Sequence, residues 1–158
     1  MTIRVLASIA LIALAAVPAA HAASPSELCT RLRMFVASVP SGETRELTFR
    51  TSWGSNFKDV VEPAAMSARR CEHAGYAPAE NVCAHLMQQG SVEFPGTTVK
   101  ESIACLARGT TFDRSLSLDR VALSFPYGSV HHGARIDVDF GEDAEIGGMA
   151  FRLAVTGD

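Results

Sequence analysis

Cys29, Cys71, Cys83 and Cys105 are the four cysteines of the chain, and all of them lie beyond an N-terminal export leader. An even number of cysteines in an exported chain reads as two disulfides, which restricts the folds available to those that bring these positions together in pairs. The leader is "MTIRVLASIALIALAAVPAAHAASPSELC": a basic Arg4, an apolar run from Val5 to Val17, Pro18, and small residues ending on Ala20-His21-Ala22. That succession is the pattern of a cleaved secretory signal. Residues 1–22 are expected to be removed near Ala22, leaving 23–158 to fold as one α+β domain in the periplasm or outside the cell.

The apolar run is shorter than the roughly 20 residues a membrane-spanning helix needs. Lipid attachment at Cys29 is disfavoured, because Ser26-Glu27-Leu28 precede it where a lipoprotein signal places small residues. No membrane anchor is therefore expected.

Four cysteines permit three connectivities, and spacing alone does not choose among them. In "EPAAMSARRCEHAGYAPAENVCAHLMQQG", Pro63 reads as a first-turn proline and Gly75 as a helix C-cap, while Pro78 opens a second helix ending at Gly90. Cys71 and Cys83 then flank the connection of an antiparallel helical hairpin, which favours Cys71–Cys83 and leaves Cys29–Cys105. The absence of a C-x-x-C motif argues against a zinc knuckle or a redox pair.

Hydrophobic periodicity supplies the remaining elements. Ser24-Pro25-Ser26-Glu27 reads as a capping box opening a helix whose inner face is Leu28, Leu32, Phe35, Val36 and Val39. Residues 45–53 alternate as a half-buried strand with Leu47, Phe49 and Trp53 inward, so Trp53 is expected in the core. A further capping box at Thr98-Val99-Lys100-Glu101 opens a helix over 98–108. From 115 the period is two, with a slip at Asp119-Arg120 that reads as a bulge. Ile136, Val138 and Phe140, then Met149, Phe151, Leu153 and Val155, complete a three-strand meander. The expected fold class is α+β, with disulfide-tied helices on one face of an antiparallel sheet of about four strands. Whether strand 45–53 joins the meander is left open by the sequence.

Cleavage removes Arg4 from the 14 Lys and Arg and none of the 17 Asp and Glu, so the mature net charge is −4 with His neutral. That balance disfavours nucleic acid, whose binding needs clustered cations, and suits a basic protein partner.

No catalytic constellation is evident. His131 and His132 suggest a metal site with Asp137 or Asp139, yet adjacent residues on an extended chain point to opposite sides, and both aspartates alternate with core positions. "DVDFGED" lacks the ligand spacing of a calcium loop. His73 and His85 neighbour cysteines that are expected to be oxidised, and neither Gly-Ser pair sits in a nucleophile elbow. No cofactor and no metal are expected.

Tyr127, His131 and His132 instead read as the solvent-facing tip of a hairpin stiffened by Pro126 and two glycines, beside the acidic strand face of Asp137 and Asp139. These five residues are the candidate partner-binding set. In type, a small exported protein with a projecting loop resembles the periplasmic lysozyme inhibitors and the immunity proteins that protect bacteria from periplasmic toxins. The Ser-Gly-x-x-Tyr motif of the lysozyme inhibitors is absent, since "PYGSV" has the residues in another order, and no functional residue is carried over. The reading is a non-enzymatic exported binding protein, an inhibitor or immunity protein acting on an exported or cell-wall-acting enzyme or a toxin. The alternatives are a small envelope hydrolase or metal-dependent enzyme built on His131, His132 and Asp137 or Asp139, and a structural or small-ligand-binding envelope protein.

Overall fold

The computed structural model describes residues 26–61, 63, 65–129 and 132–158. The expected export leader, Ser24 and Pro25 of the expected capping box, and His131 lie outside the described residues. In chain order the elements are α1 (Glu27–Ser38), β1 (Thr44–Trp53), β2 (Ser67–Glu72), α2 (Ala77–Gln89), α3 (Pro95–Leu106), β3 (Val121–Ser129), β4 (His132–Glu142) and β5 (Met149–Gly157). The strands form one antiparallel sheet in the order β2-β1-β5-β4-β3. The three helices pack on one of its faces, as an α+β protein requires.

Strand 45–53 does join the meander, pairing β5 on one side and β2 on the other, so the sheet has five strands rather than about four. Its inner rows run across the strands as Phe49–Phe151–Phe140 and Leu47–Leu153–Val138, all buried against Leu32, Phe35 and Val36 of α1, Leu86 of α2 and Ile103 of α3.

Both disulfides are formed, Cys29–Cys105 and Cys71–Cys83. The first ties α1 to α3. The second joins a strand to a helix, because the expected helix over 63–75 is the edge strand β2. The segment is extended because it pairs with β1 from Thr48↔Glu72 to Trp53↔Ser67, and Cys71 and Arg69 point toward α2, where Arg69 Nε donates to the Gly90 carbonyl at 3.1 Å. Gly75 is a turn residue, φ +72°, between β2 and α2 rather than a helix cap. The helix beginning near Pro78 and ending at Gly90 is as expected. Gly90 is required there, since a Cβ would sit 2.6 Å from the Phe49 ring.

Other boundaries shift for identifiable reasons. α1 is capped by Ser26, whose Oγ accepts from Cys29 N at 3.2 Å. α3 begins at Pro95, three residues before Thr98, because a first-turn proline is already helix-compatible; Thr98 is buried within it and accepts from Ser102 Oγ at 2.8 Å. The expected strand from 115 and its bulge are absent. β3 starts at Val121 in unbroken register with β4, and Leu116 is exposed.

Trp53 is 57% exposed, against the core position expected of it. It is the last residue of β1, where β5 has already ended its pairing at Thr51↔Met149 and only β2 remains alongside. A sheet two strands wide has no core beneath that position. Ser52 is buried instead, with Cβ 3.2 Å from where a Cβ on Gly148 would lie, because residues 54–60 fold back over the outer face and Lys58 N donates to the Ile146 carbonyl at 2.7 Å.

Candidate functional site

With helices on one face, the other face of the sheet is left to solvent, and the period-two alternation places polar side chains on it. The register brings together residues far apart in sequence. Asp139 lies between Ala122 of β3 and Arg152 of β5, and Asp137 between Ser124 and Ala154. Glu46 lies across from Ala154, one diagonal step from Arg152.

The charges on this face are organised by pairing. Arg152 donates to Glu46 through both Nε and Nη2, the first at 3.0 Å. Arg135 Nε donates to Asp137 at 3.2 Å along the same strand. The Ser124 hydroxyl, and then the Arg135 guanidinium, hold the Asp137 carboxyl below its ordinary range. Toward β2, Arg50 Nη1 donates to Glu72 at 2.6 Å and Arg50 Nε to Asp143 at 3.0 Å. Arg70 grips Asp59 through two nitrogens, at 2.6 and 2.9 Å, and lies 4.9 Å from the centre of the Phe57 ring. Paired guanidinium–carboxylate forks fix side chains that would otherwise be free to rotate.

Two shallow troughs run over the small side chains of this surface. One, of about 440 Å³, passes over Ala122 and Ala154 between Asp137, Asp139, Arg135 and Arg152. The other, of about 520 Å³, shares Ala122 and Asp139 and continues over Gly141 and Ala150 to Glu142 and Glu145. The two form one groove along β4. A separate cavity of about 590 Å³ lies between the start of α3 and residues 114–119, where Lys100 Nζ is engaged by the Leu116 carbonyl at 2.7 Å.

The candidate residues are only partly brought together. Asp137 and Asp139 lie side by side on the outer face, as the alternation implies. Tyr127 is not at a hairpin tip. It sits within β3 opposite Ala134, on the helix side of the sheet and half-buried against the core. His132 is the first residue of β4, opposite Ser129. Among the described residues no group of three His, Cys, Asp or Glu side chains is placed to hold a metal ion.

The two carboxyls of this face whose titration is shifted are both held in the ionised form. A general acid needs a raised carboxyl pKa, whereas Asp137 and Asp143 are both pulled down and stay ionised near neutrality. Sequence reasoning missed Arg152, Glu46, Arg135 and Arg50, which share the face with the aspartates. Their parity was legible, but which of them become neighbours depends on strand order.

No family model, no curated protein and no solved structure matches this chain.

Proposed function

We propose that the chain is an exported, non-enzymatic binding protein of the periplasm or extracellular space, an inhibitor or immunity protein that blocks an exported or cell-wall-acting enzyme. The observation that carries this reading is the uncovered outer face, whose charged side chains are held by cross-strand pairs on a disulfide-tied sheet. A face already ordered before contact loses little side-chain freedom on docking, and fixed charges of both signs select a partner by complementarity. Asp137 and Asp139 are the contact residues of that face, with Arg135 and Arg152 beside them; Tyr127, His131 and His132 belong to the same reading at the β3–β4 end.

The experiment is capture with the purified protein as bait, from periplasmic extracts of its own organism and of competing strains, followed by assay of the captured enzyme with and without the bait. Capture is expected to be accompanied by inhibition. Asp137→Asn with Asp139→Asn and Arg152→Met should weaken capture at least tenfold in a variant that remains folded with a somewhat lower melting temperature, as should Tyr127→Ala with His131→Ala and His132→Ala for the other end. Capture undiminished by the outer-face triple variant removes that face from the account, and a captured enzyme that keeps full activity removes inhibition. Stoichiometric zinc that survives dialysis would favour the metal-dependent enzyme instead.

A further inference from the structure

The two disulfides differ in what surrounds them. Cys29 and Cys105 are 7% and 9% exposed, and their bridge joins α1 to α3 within the core. Cys83 is likewise buried, but its partner Cys71 is the one cysteine of the four that is only half-buried. Cys71 stands on β2, the last strand of the sheet, which has β1 on one side and, among the described residues, no strand on the other. A thiolate must reach a disulfide sulfur to attack it, so access in the folded protein favours this bridge over the other.

An independent observation is the charge beside Cys71. Arg69 lies two residues earlier on the same face of β2 and donates to the Gly90 carbonyl, and among the described residues no carboxylate pairs with it. The adjacent acid, Glu72, is turned to the other face and engaged by Arg50. A guanidinium left uncompensated next to a sulfur draws an anionic thiolate toward it. The strand is also held without the bridge, by its ladder with β1 from Thr48↔Glu72 to Trp53↔Ser67 and by the Arg70–Asp59 and Arg50–Glu72 pairs. Opening the bridge therefore leaves β2 seated.

We propose that Cys71–Cys83 is a site of thiol–disulfide exchange in the folded protein, taking a dithiol reductant as its co-reactant, while Cys29–Cys105 is a closed structural bridge. One thiolate of the dithiol attacks Cys71 Sγ, a mixed disulfide forms there, and the bond to Cys83 breaks with the electron pair leaving on Cys83 Sγ. Cys83 takes up a proton, and the resulting thiol has the Glu72 carbonyl 3.8 Å away as an acceptor. The second thiolate of the dithiol then attacks its own sulfur in the mixed disulfide and expels Cys71. The dithiol ends as a disulfide, oxidised by two electrons, and its two protons end on Cys71 and Cys83. The chain is the substrate of this exchange and needs no C-x-x-C of its own. Cys71 faces α2, so the inference does not depend on the reading of the outer face.

The test incubates the native protein with dithiothreitol, alkylates samples over time and locates the blocked cysteines by peptide mass. Cys71 and Cys83 are expected to be alkylated about tenfold faster than Cys29 and Cys105. In urea, which exposes both bridges, that difference should disappear. A thioredoxin-type dithiol protein with its second active-site cysteine replaced by serine should be trapped on Cys71. The proposal is overturned if both bridges open together in the folded protein, if Cys29–Cys105 opens first, or if neither opens before the protein unfolds. It is also overturned if the difference persists in urea, since access is then not its cause, or if the trapped protein sits on Cys83.

Discussion

Arg50 and Asp143, 93 residues apart, meet at 3.0 Å on the outer face of the sheet, and the two side chains are only 15% and 17% exposed. Asp143 also accepts from the backbone amides of Glu145 and Ile146, so one carboxylate both shapes the β4–β5 turn and anchors it to β1. Asp143→Ala removes both roles and is expected to destabilise by about 2 kcal/mol, whereas Asp143→Asn keeps an oxygen for the turn and should cost about half as much. Urea unfolding of the two variants measures the difference, and equal losses would show that the turn hydrogen bonds add nothing to the ion pair.

The same group makes stability depend on acid. The Ile146 amide, and then the Arg50 guanidinium, hold the Asp143 carboxyl below its ordinary range, and Asp137 is lowered by Ser124 and Arg135. A carboxyl whose folded pKa is depressed contributes fully above its unfolded value, about 3.9, and the contribution is lost as pH falls from there through the lowered folded value. Melting temperature should therefore fall below about pH 4, and the fall should be shallower in Asp143→Asn. An identical acid limb in the variant would contradict this assignment.

Cys29–Cys105 closes a separation of 76 residues and Cys71–Cys83 one of 12. On chain entropy alone the bridges restrict the unfolded chain by about 4.5 and about 3 kcal/mol. The Cys29→Ala/Cys105→Ala variant should be the less stable of the two double variants by roughly 1.5 kcal/mol in denaturant. Peptide mapping without reduction should recover the same two pairs and no Cys29–Cys71 linkage.

Trp53 is the one tryptophan of the chain and lies largely in solvent. Its emission should be red-shifted and readily quenched by iodide in the native protein, with little further shift on unfolding. A blue emission that iodide does not reach would return Trp53 to a buried site.

Much of this architecture was written locally. Leu28, Leu32, Phe35 and Val36 recur at helical spacing, and Ile136, Val138 and Phe140 at strand spacing, because each element must bury one face whatever it packs against. Where the pattern was short or ambiguous the reading failed: six residues around Cys71 form a strand because β1 was available to pair with, and Pro95 rather than Thr98 opens α3. For the candidate site, the outward parity of Asp137 and Asp139 was legible in the alternation, while the inward placement of Tyr127 was hidden by the turn chemistry of its neighbours Pro126 and Gly128.

The sequence by itself determined the fold class, the three-strand meander and which faces of the strands are polar, since periodicity is a property of neighbouring residues along one chain. It also indicated the disulfide pairs, although for Cys71–Cys83 through a helical hairpin that the fold replaces with a strand and a helix. Only the tertiary structure decided that β1 lies between β2 and β5 and that Arg152 meets Glu46, Arg50 meets Asp143 and β3 is left at the edge. Those relationships depend on strand order and register, which are fixed by how the apolar faces of all the elements fit one core together, and no stretch of sequence carries that information alone.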